Sequence, residues 1–303
     1  SNEQLNNFIN KAAILSPEYP VIISKYIENA KELEFDAVAQ NGELMIYGIS
    51  EHVENAGVHS GDATIVYPTQ RVYASTESQL REISKKITRE LSVTGPINIQ
   101  FLVKDNIPYV IEVNLRASRT FPLLSKAMDV NFPEMAVDSF FGKAEPDLFV
   151  PPKSVVVKSP QFSFARLLGA DPVLRVEMSS TGEAACFGKD YDEALLKSVL
   201  STNQFDFKKK KVLLSLGGDV NKAKFLETAK ILIKLQYEIF ATDSTAEFLQ
   251  KQEVECKTVR KAYQVSPNAL NIIEGKNVAF VVNLSKTENG AERSITDGFR
   301  IRR

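Results

Sequence analysis

The dipeptide Asn41-Gly42, set between two apolar alternating runs, is the feature that most restricts how this chain can fold. Both residues tolerate positive φ, so the pair favours the tight turn whose twist matches two flanking antiparallel strands. Upstream, Glu32-Leu33-Glu34-Phe35-Asp36-Ala37-Val38 alternates with period two, placing its acids on one face of a strand and its apolar residues on the other. Downstream, Leu44-Met45-Ile46-Tyr47-Gly48-Ile49 is the returning strand. Residues 20–27, apolar and β-branched, read as one further strand before the hairpin. Residues 97–103 and 108–114 repeat the hairpin pattern around the turn-rich Lys104-Asp105-Asn106. Between the hairpins, 76–91 is predicted helical. Leu80, Ile83, Ile87 and Leu91 recur on one stripe, and Thr76 with Gln79 has the spacing of a capping box. Strand pairing of this kind predicts an antiparallel sheet with helices against it.

From residue 212 the texture changes. Val212–Leu216 leads through Gly217-Gly218-Asp219 into a helix bearing Phe225, Ala229, Leu232 and Leu235 on one face; a strand at 237–242, a short helix and a strand at 278–283 follow. That alternation predicts a doubly wound parallel sheet. The stretch 142–153, with Pro146, Pro151 and Pro152, is the best linker, and a helix at 190–200 is predicted with Asp190 as cap and Ala194, Leu195, Val199 and Leu200 on one face. The organisation expected is therefore residues 1–145, a connecting segment 146–207, and a second domain over 208–303.

Lys and Arg total 37 against 38 Asp and Glu, a formal charge of −1, which gives no electrostatic reason to expect nucleic acid or an anionic membrane as partner. The run Lys208–Lys211 reads as a solvated linker. No apolar run approaches the ~18 residues of a membrane helix. Cys186 and Cys256 form no CxxC pattern and fit a reducing compartment.

The densest polar constellation lies on the 97–114 hairpin. Gln100 and Glu112 would face each other across its two strands, and Glu112 and Asn114, two apart, share a face. One carboxylate with amide oxygens is a hard-oxygen set suited to Mg²⁺ or Mn²⁺ holding nucleotide phosphates. Arg116 and Arg119 follow in the loop leaving the strand, and guanidinium forks suit phosphate and carboxylate oxygens. A mixed-charge surface would have the same composition; the order Gln…Glu-x-Asn-x-Arg-x-x-Arg favours a site. The run Gly182…Gly188-Lys189 imitates a phosphate loop, but its glycine spacing is one residue too long and Asp190 stands where Ser or Thr belongs. The Asn283-Leu284-Ser285 glycosylation pattern is also rejected, because it ends a predicted buried strand.

Ile111-Glu112-Val113-Asn114-Leu115-Arg116-Ala117-Ser118-Arg119 resembles the metal-and-phosphate strand of ATP-grasp ligases, in the version found in the carbamoyl-phosphate synthase large chain. Residues 51–62, containing Gly57-Val58-His59-Ser60, resemble that family's nucleotide loop, and 177–188 the segment further downstream. The Asn-Leu-Arg wording is eukaryotic in type. The resemblance implies an ATP-grasp C-terminal lobe followed by a methylglyoxal-synthase-like regulatory domain. It implies that Glu32 holds the ATP ribose, with Lys25 and Ile27 on a strand beside the adenine, and that Gly57, Val58, His59 and Ser60 line the phosphate pocket. Gln100, Glu112 and Asn114 would ligate metal, and Arg116 and Arg119 would hold the product phosphate. His52 has no such motif support. The implied reaction is phosphorylation of carbamate by ATP; the alternatives are an ATP-grasp ligase acting on a different carboxylate, which the Arg116/Arg119 pair disfavours, and a non-catalytic nucleotide-binding regulatory module.

In the second domain, Ser215 with Gly217-Gly218 would offer backbone amides to an effector phosphate, and Thr242, Thr245, Lys261, Asn283 and Ser285 match family positions around it. Generic strand-end turns explain these residues equally well. Lys261 and Lys286 look unlike the acetylglutamate-responsive type. The resemblance also implies absent parts: a lid lobe and a first synthetase half before Ser1, a glutaminase, and a last strand and helix after Arg303. A fragment of a larger, oligomeric, cytoplasmic or mitochondrial-matrix synthase is expected, inactive alone.

Overall fold

The structure, a computed structural model, describes residues 2–18, 20–21, 23–146, 150–163, 174, 176–202, 206–285 and 301. After an exposed helix α1 (Asn2–Leu15), β1 (Lys31–Gln40) and β2 (Glu43–Asn55) form the predicted hairpin, with Asn41 and Gly42 both at positive φ. A short β3 (Ile65–Tyr67) and helix α2 (Ala74–Glu90) precede the second hairpin, β4 (Gly95–Lys104) and β5 (Ile107–Asn114), which turns at Asp105 and Asn106, again at positive φ. Helices α3 (Phe121–Met128) and α4 (Phe132–Phe140) follow, then β6 (Val155–Gln161), β7 (Gly182–Gly188) and α5 (Tyr191–Ser201). The sheet is antiparallel, in the order β5-β4-β1-β2-β3-β6-β7. Two of its seven strands come from the segment expected only to connect. Ala144, before that segment, is buried and its N–H donates to Gln40 Oε1 at 3.0 Å.

Strand β1 lies in the middle of this sheet, flanked by β2 and β4, and both of its faces are covered. Leu33, Phe35, Ala37 and Ala39 pack with Leu80 of α2 and with Ile97, Ile99 and Phe101. On the opposite face Val38 joins Phe121, Leu124 and Phe132 of α3 and α4. The acids Glu32, Glu34 and Asp36 share that face and are buried with it.

Several local expectations need correction. Residues 20–27 are not a strand: the described ones form a largely exposed, irregular segment, and Ile22 lies outside the described residues. β-branched composition alone does not make a strand without a ladder partner, and both neighbours of β1 are taken by β2 and β4. Lys25 and Ile27 therefore sit in a loop. Thr76 caps nothing, because α2 starts at Ala74 with Tyr73 as N-cap. Its hydroxyl is instead buried without a partner, on a stripe with Leu80, Ser84 and Thr88, while Leu91 is exposed. The cap of α5 is as predicted, with Asp190 Oδ1 accepting from Glu193 N at 2.9 Å, but Leu200 is exposed and Ser198 takes the buried place.

The second sheet, order β10-β9-β8-β11, is parallel, from β8 (Lys211–Leu216), β9 (Glu238–Thr242), β10 (Lys257–Val259) and β11 (Phe280–Leu284). Helices α6 (Asp219–Lys234), α7 (Asp243–Lys251) and α8 (Ala269–Glu274) lie between the strands. Val212, Leu214, Ala229, Leu232 and Ile239 centre its core, while Leu235 is exposed at the end of α6. Lys208 and Lys210 are exposed, as expected of a solvated run, while Lys210 and Lys211 also rest over the rings of Tyr237 and Phe240. No helix among the described residues is long and apolar enough to cross a membrane.

Candidate functional site

The register of the three neighbouring strands builds two polar rungs on one face. Glu34 lies opposite Gln100, which lies opposite Glu112; Asp36 lies opposite Asn98, which lies opposite Asn114. Directly paired residues project to the same side, so six polar side chains converge. Asn98 Nδ2 donates to Asp36 Oδ1 at 3.0 Å and to Glu34 Oε2 at 3.3 Å. Asn114 Nδ2 donates to Glu112 Oε1 at 2.9 Å and to Asn98 Oδ1 at 3.4 Å. The pairing of Gln100 with Glu112 and the shared face of Glu112 and Asn114 are thus as the spacing predicted.

Behind these rungs lies a buried acid cluster. His52, on β2, is 3.0 Å by Nε2 from Glu34 Oε1 and 3.9 Å by Nδ1 from Glu32 Oε2, so it links the two acids. Thr120 Oγ1 donates toward Asp36 Oδ2 at 2.9 Å and Glu34 Oε2 at 3.1 Å, and lies 2.7 Å from Ser118 Oγ. Burial, with the charge of Glu34 beside it, pushes Asp36 up to about 7. Burial also acts to raise Glu34, but hydrogen bonding to His52 and the His52 charge outweigh it and hold that carboxyl below the usual range. Glu32 is raised, chiefly by burial and partly by Glu34, with His52 and the Gly57 amide opposing. Thr120 has a single hydroxyl proton, so it serves one of the two carboxyl oxygens, Asp36 Oδ2 or Glu34 Oε2, at a time.

Above this floor is a cavity of about 190 Å³ lined by Arg116, Arg119, Lys158, His59, Ser60 and Gln100 among others. Lys158 is 3 % exposed; burial lowers its pKa, and Glu183 at 3.8 Å and Glu34 oppose that shift. Its Nζ donates to the Ser60 carbonyl at 2.9 Å. The Gly61 N–H donates to His59 Nδ1 at 3.0 Å, which leaves Nε2 as the donor of a neutral ring. Two features shape this loop. Gly57 has φ +107, a conformation that favours glycine, and a Cβ on Gly61 would stand 2.7 Å from Met178 Sδ. Buried Asp62 then fastens the loop to the downstream segment by accepting from Ser179 N at 2.8 Å and Ser180 N at 2.7 Å.

The structure therefore brings His59, Ser60, Gln100, Arg116 and Arg119 to one cavity, with Glu112 and Asn114 on the strand beside Gln100 and Glu32 joined to the acid cluster through His52. Gly57 and Val58 lie on the same loop, and Gly57 is the point where 20–27 approaches: its added Cβ would be 3.5 Å from the Tyr26 hydroxyl. Lys25 and Ile27 are near it in sequence but not on a strand. Sequence reasoning missed Glu34, Asp36, His52, Asn98, Thr120 and Lys158 as site residues. The alternation of the three acids with the register of the second hairpin pointed to Glu34, Asp36 and Asn98, and a single lysine in Val155-Val156-Val157-Lys158 pointed to Lys158; His52 and Thr120 carried no such signal.

In the second sheet, Ser215 and Asn283 are paired residues near the carboxyl ends of β8 and β11, and Thr242 ends β9. Lys261 follows β10 in a loop, and Ser285 follows β11. The amides do not stand as expected: Gly217 N donates to Leu284 O at 2.6 Å, and Leu216 N to Thr245 Oγ1 at 3.0 Å. Thr245 Oγ1 also reaches Leu216 O at 3.3 Å, so that hydroxyl closes the strand end. Lys286 lies outside the described residues.

Residues 1–138 match the family model described as carbamoyl-phosphate synthase L chain, ATP binding domain, and residues 224–303 match that of the MGS-like domain. The multifunctional protein pyrABCN of Emericella nidulans is 52% identical over 260 residues, 85% of this chain and 11% of that protein. The multifunctional protein CAD of Squalus acanthias is 42% identical over 318 residues, 100% of this chain and 14% of that protein. The mitochondrial carbamoyl-phosphate synthase [ammonia] of Aquarana catesbeiana is 39% identical over 313 residues, 99% of this chain and 21% of that protein. The chain thus spans between about a tenth and about a fifth of the length of these relatives. A solved biotin carboxylase from Campylobacter jejuni has a TM-score of 0.46 and 16% identity, over 57% of this chain and 45% of that one, too remote to carry an inference. With an ATP-binding-domain match followed by an MGS-like match, and relatives that align over nearly all its length, this chain belongs to the carbamoyl-phosphate synthase large-chain family, as its C-terminal part.

Proposed function

We propose that this chain supplies one lobe of the carbamate-phosphorylating site of a eukaryotic carbamoyl-phosphate synthase, together with an effector-binding domain. The observation that carries this reading is a cavity lined by Arg116, Arg119, Lys158 and Gln100, with Glu112 and Asn114 on the strand paired beside Gln100. Such a site needs cations facing the phosphate and a hard-oxygen set beside them. Carbamate oxygen attacks the γ-phosphorus of ATP; the new O–P bond forms as the bond to the β,γ-bridging oxygen breaks and ADP departs. Arg116 and Arg119 offset the repulsion between the two anions, and Glu32 orients the nucleotide through its ribose.

Mg²⁺ or Mn²⁺ fits the donor set. Among the described residues no group of three His, Cys, Asp or Glu stands ready to hold a metal alone, so phosphate oxygens would complete the ligands of Glu112, Gln100 and Asn114. Asn114 now turns its amide nitrogen to Glu112, and ligation through its oxygen takes a half-turn of that amide. A bound metal supplies charge neutralisation at the phosphates.

Residues 1–145 with the strands of 146–207 form the lobe, and 208–303 the regulatory domain. The lid lobe, the first synthetase half and a glutaminase come from the remaining protein, which is oligomeric and pyrimidine-directed. It is cytoplasmic, with the mitochondrial matrix as the alternative. Ser215, Thr242, Thr245, Lys261, Asn283 and Ser285 surround the effector; with Thr245 closed on Leu216, its part is to shape the pocket. Calorimetry with MgADP tests the lobe: this chain should bind it weakly, and Glu112→Ala should weaken binding about tenfold or more. Equal affinity in both proteins would sink the reading.

A further inference from the structure

The loop carrying Arg116 and Arg119 ends at Thr120, the N-cap residue of α3. A threonine there ordinarily turns its hydroxyl to a backbone amide of the first helical turn. Thr120 makes no such bond. Its side chain points the other way, into the acid cluster, where Oγ1 lies 2.9 Å from Asp36 Oδ2 and 3.1 Å from Glu34 Oε2. Its backbone is equally fixed: Thr120 N donates to Ser118 Oγ at 3.1 Å, and Leu124 N donates to Thr120 O at 2.9 Å. The residue is 1 % exposed, and Asp36 and Glu34 are 0 % and 2 %. Arg116, by contrast, has its own hydrogen bond to the adjacent Ala117 carbonyl at the surface, which gives no anchorage to the sheet.

We infer that Thr120 is a positioning residue, whose hydroxyl ties the loop 115–119 to the buried carboxylates of β1 and so sets the placement of Arg119 against the phosphate. The part played by Arg119 rests on the function proposed above. Glu34 is shared with His52, and His52 adjoins Glu32, so the same cluster registers the loop against the strand that carries the ribose-binding acid. Removing the hydroxyl leaves a desolvated carboxylate pair one hydrogen bond short and frees the loop to shift. Displacement of a catalytic group by about 1 Å costs on the order of a hundredfold in rate.

The test compares Thr120→Val, which keeps the shape and loses the hydroxyl, with Thr120→Ser, which keeps the hydroxyl. In the complete synthase carrying this chain, Thr120→Val should lower kcat for carbamoyl phosphate roughly 10- to 100-fold, with KM for MgATP held within about twofold. Thr120→Ser should recover to within about threefold of the parent. Calorimetric titration of inorganic phosphate in the presence of MgADP reads the same placement without turnover, and Thr120→Val should weaken it about tenfold while Thr120→Ser does not. Unchanged kcat and phosphate affinity in Thr120→Val overturn the inference. So does equal loss of nucleotide and phosphate binding in both variants, which marks a general structural role. A parent protein that makes no carbamoyl phosphate refutes the proposed function instead, and the phosphate titration then decides Thr120 alone. Absence of phosphate binding in the parent overturns the inference outright.

Discussion

Replacing Asp36 by asparagine should stabilise the fold at high pH and do little at low pH. The residue is fully buried, and burial with the neighbouring Glu34 charge raises its pKa from 3.8 to about 7. A folded state that holds its proton more tightly than the unfolded chain loses stability as pH rises through the gap between the two values. With 3.8 unfolded and about 7 folded, that loss is between about 2 and about 3 kcal/mol from about pH 5 to about pH 8. The asparagine amide carries no such titration. Its oxygen can still accept from Asn98, as Asp36 Oδ1 does, and its nitrogen stands beside Thr120 Oγ1, which then accepts where it had donated to Asp36 Oδ2. Urea unfolding of parent and Asp36→Asn across that range measures the difference directly. The expected outcome is a stability difference that moves in favour of the amide as pH rises. A difference independent of pH, or one that moves in favour of the acid at high pH, would refute a raised Asp36 pKa.

Thr76→Val should leave stability unchanged or raise it by about 1 kcal/mol, because the Thr76 hydroxyl is buried without a partner; a loss above that size in thermal unfolding would restore a structural role to the hydroxyl. Gly61→Ala should cost less than about 1 kcal/mol, since its Cβ would meet Met178 Sδ at 2.7 Å and that exposed, flexible side chain can turn aside. Met178→Ala in the same chain should recover part of that cost, and additive effects of the two changes would argue that the glycine is not held by this contact.

Both hairpins were legible because their turns are local chemistry: Asn41-Gly42 and Asp105-Asn106 take positive φ, and a tight turn sets the register that puts Gln100 opposite Glu112. Residues 20–27 misled because composition speaks for strand while a strand also needs a free edge beside it. Period two showed that Glu32, Glu34 and Asp36 share a face, but not that the face is buried. That depends on α3, α4 and the loop to Thr120, more than eighty residues away in sequence. His52 had no motif around it and took its meaning from acids on the neighbouring strand. Lys158 sat in an apolar strand with no partner in sequence, and only the sheet order sets it beneath Ser60 and beside Glu183. In the second domain the Gly217 amide, open in the sequence reading, is closed by Leu284 from the neighbouring strand β11.

The claim that this chain is one lobe of a carbamate-phosphorylating site is tested most directly by carbamoyl phosphate formation from carbamate and MgATP. The complete synthase carrying this chain should form it, Arg119→Ala in that protein should lower the rate at least about a hundredfold, and the isolated chain should form none. Robust synthesis by the isolated chain, or an Arg119→Ala synthase as fast as its parent, would contradict the account.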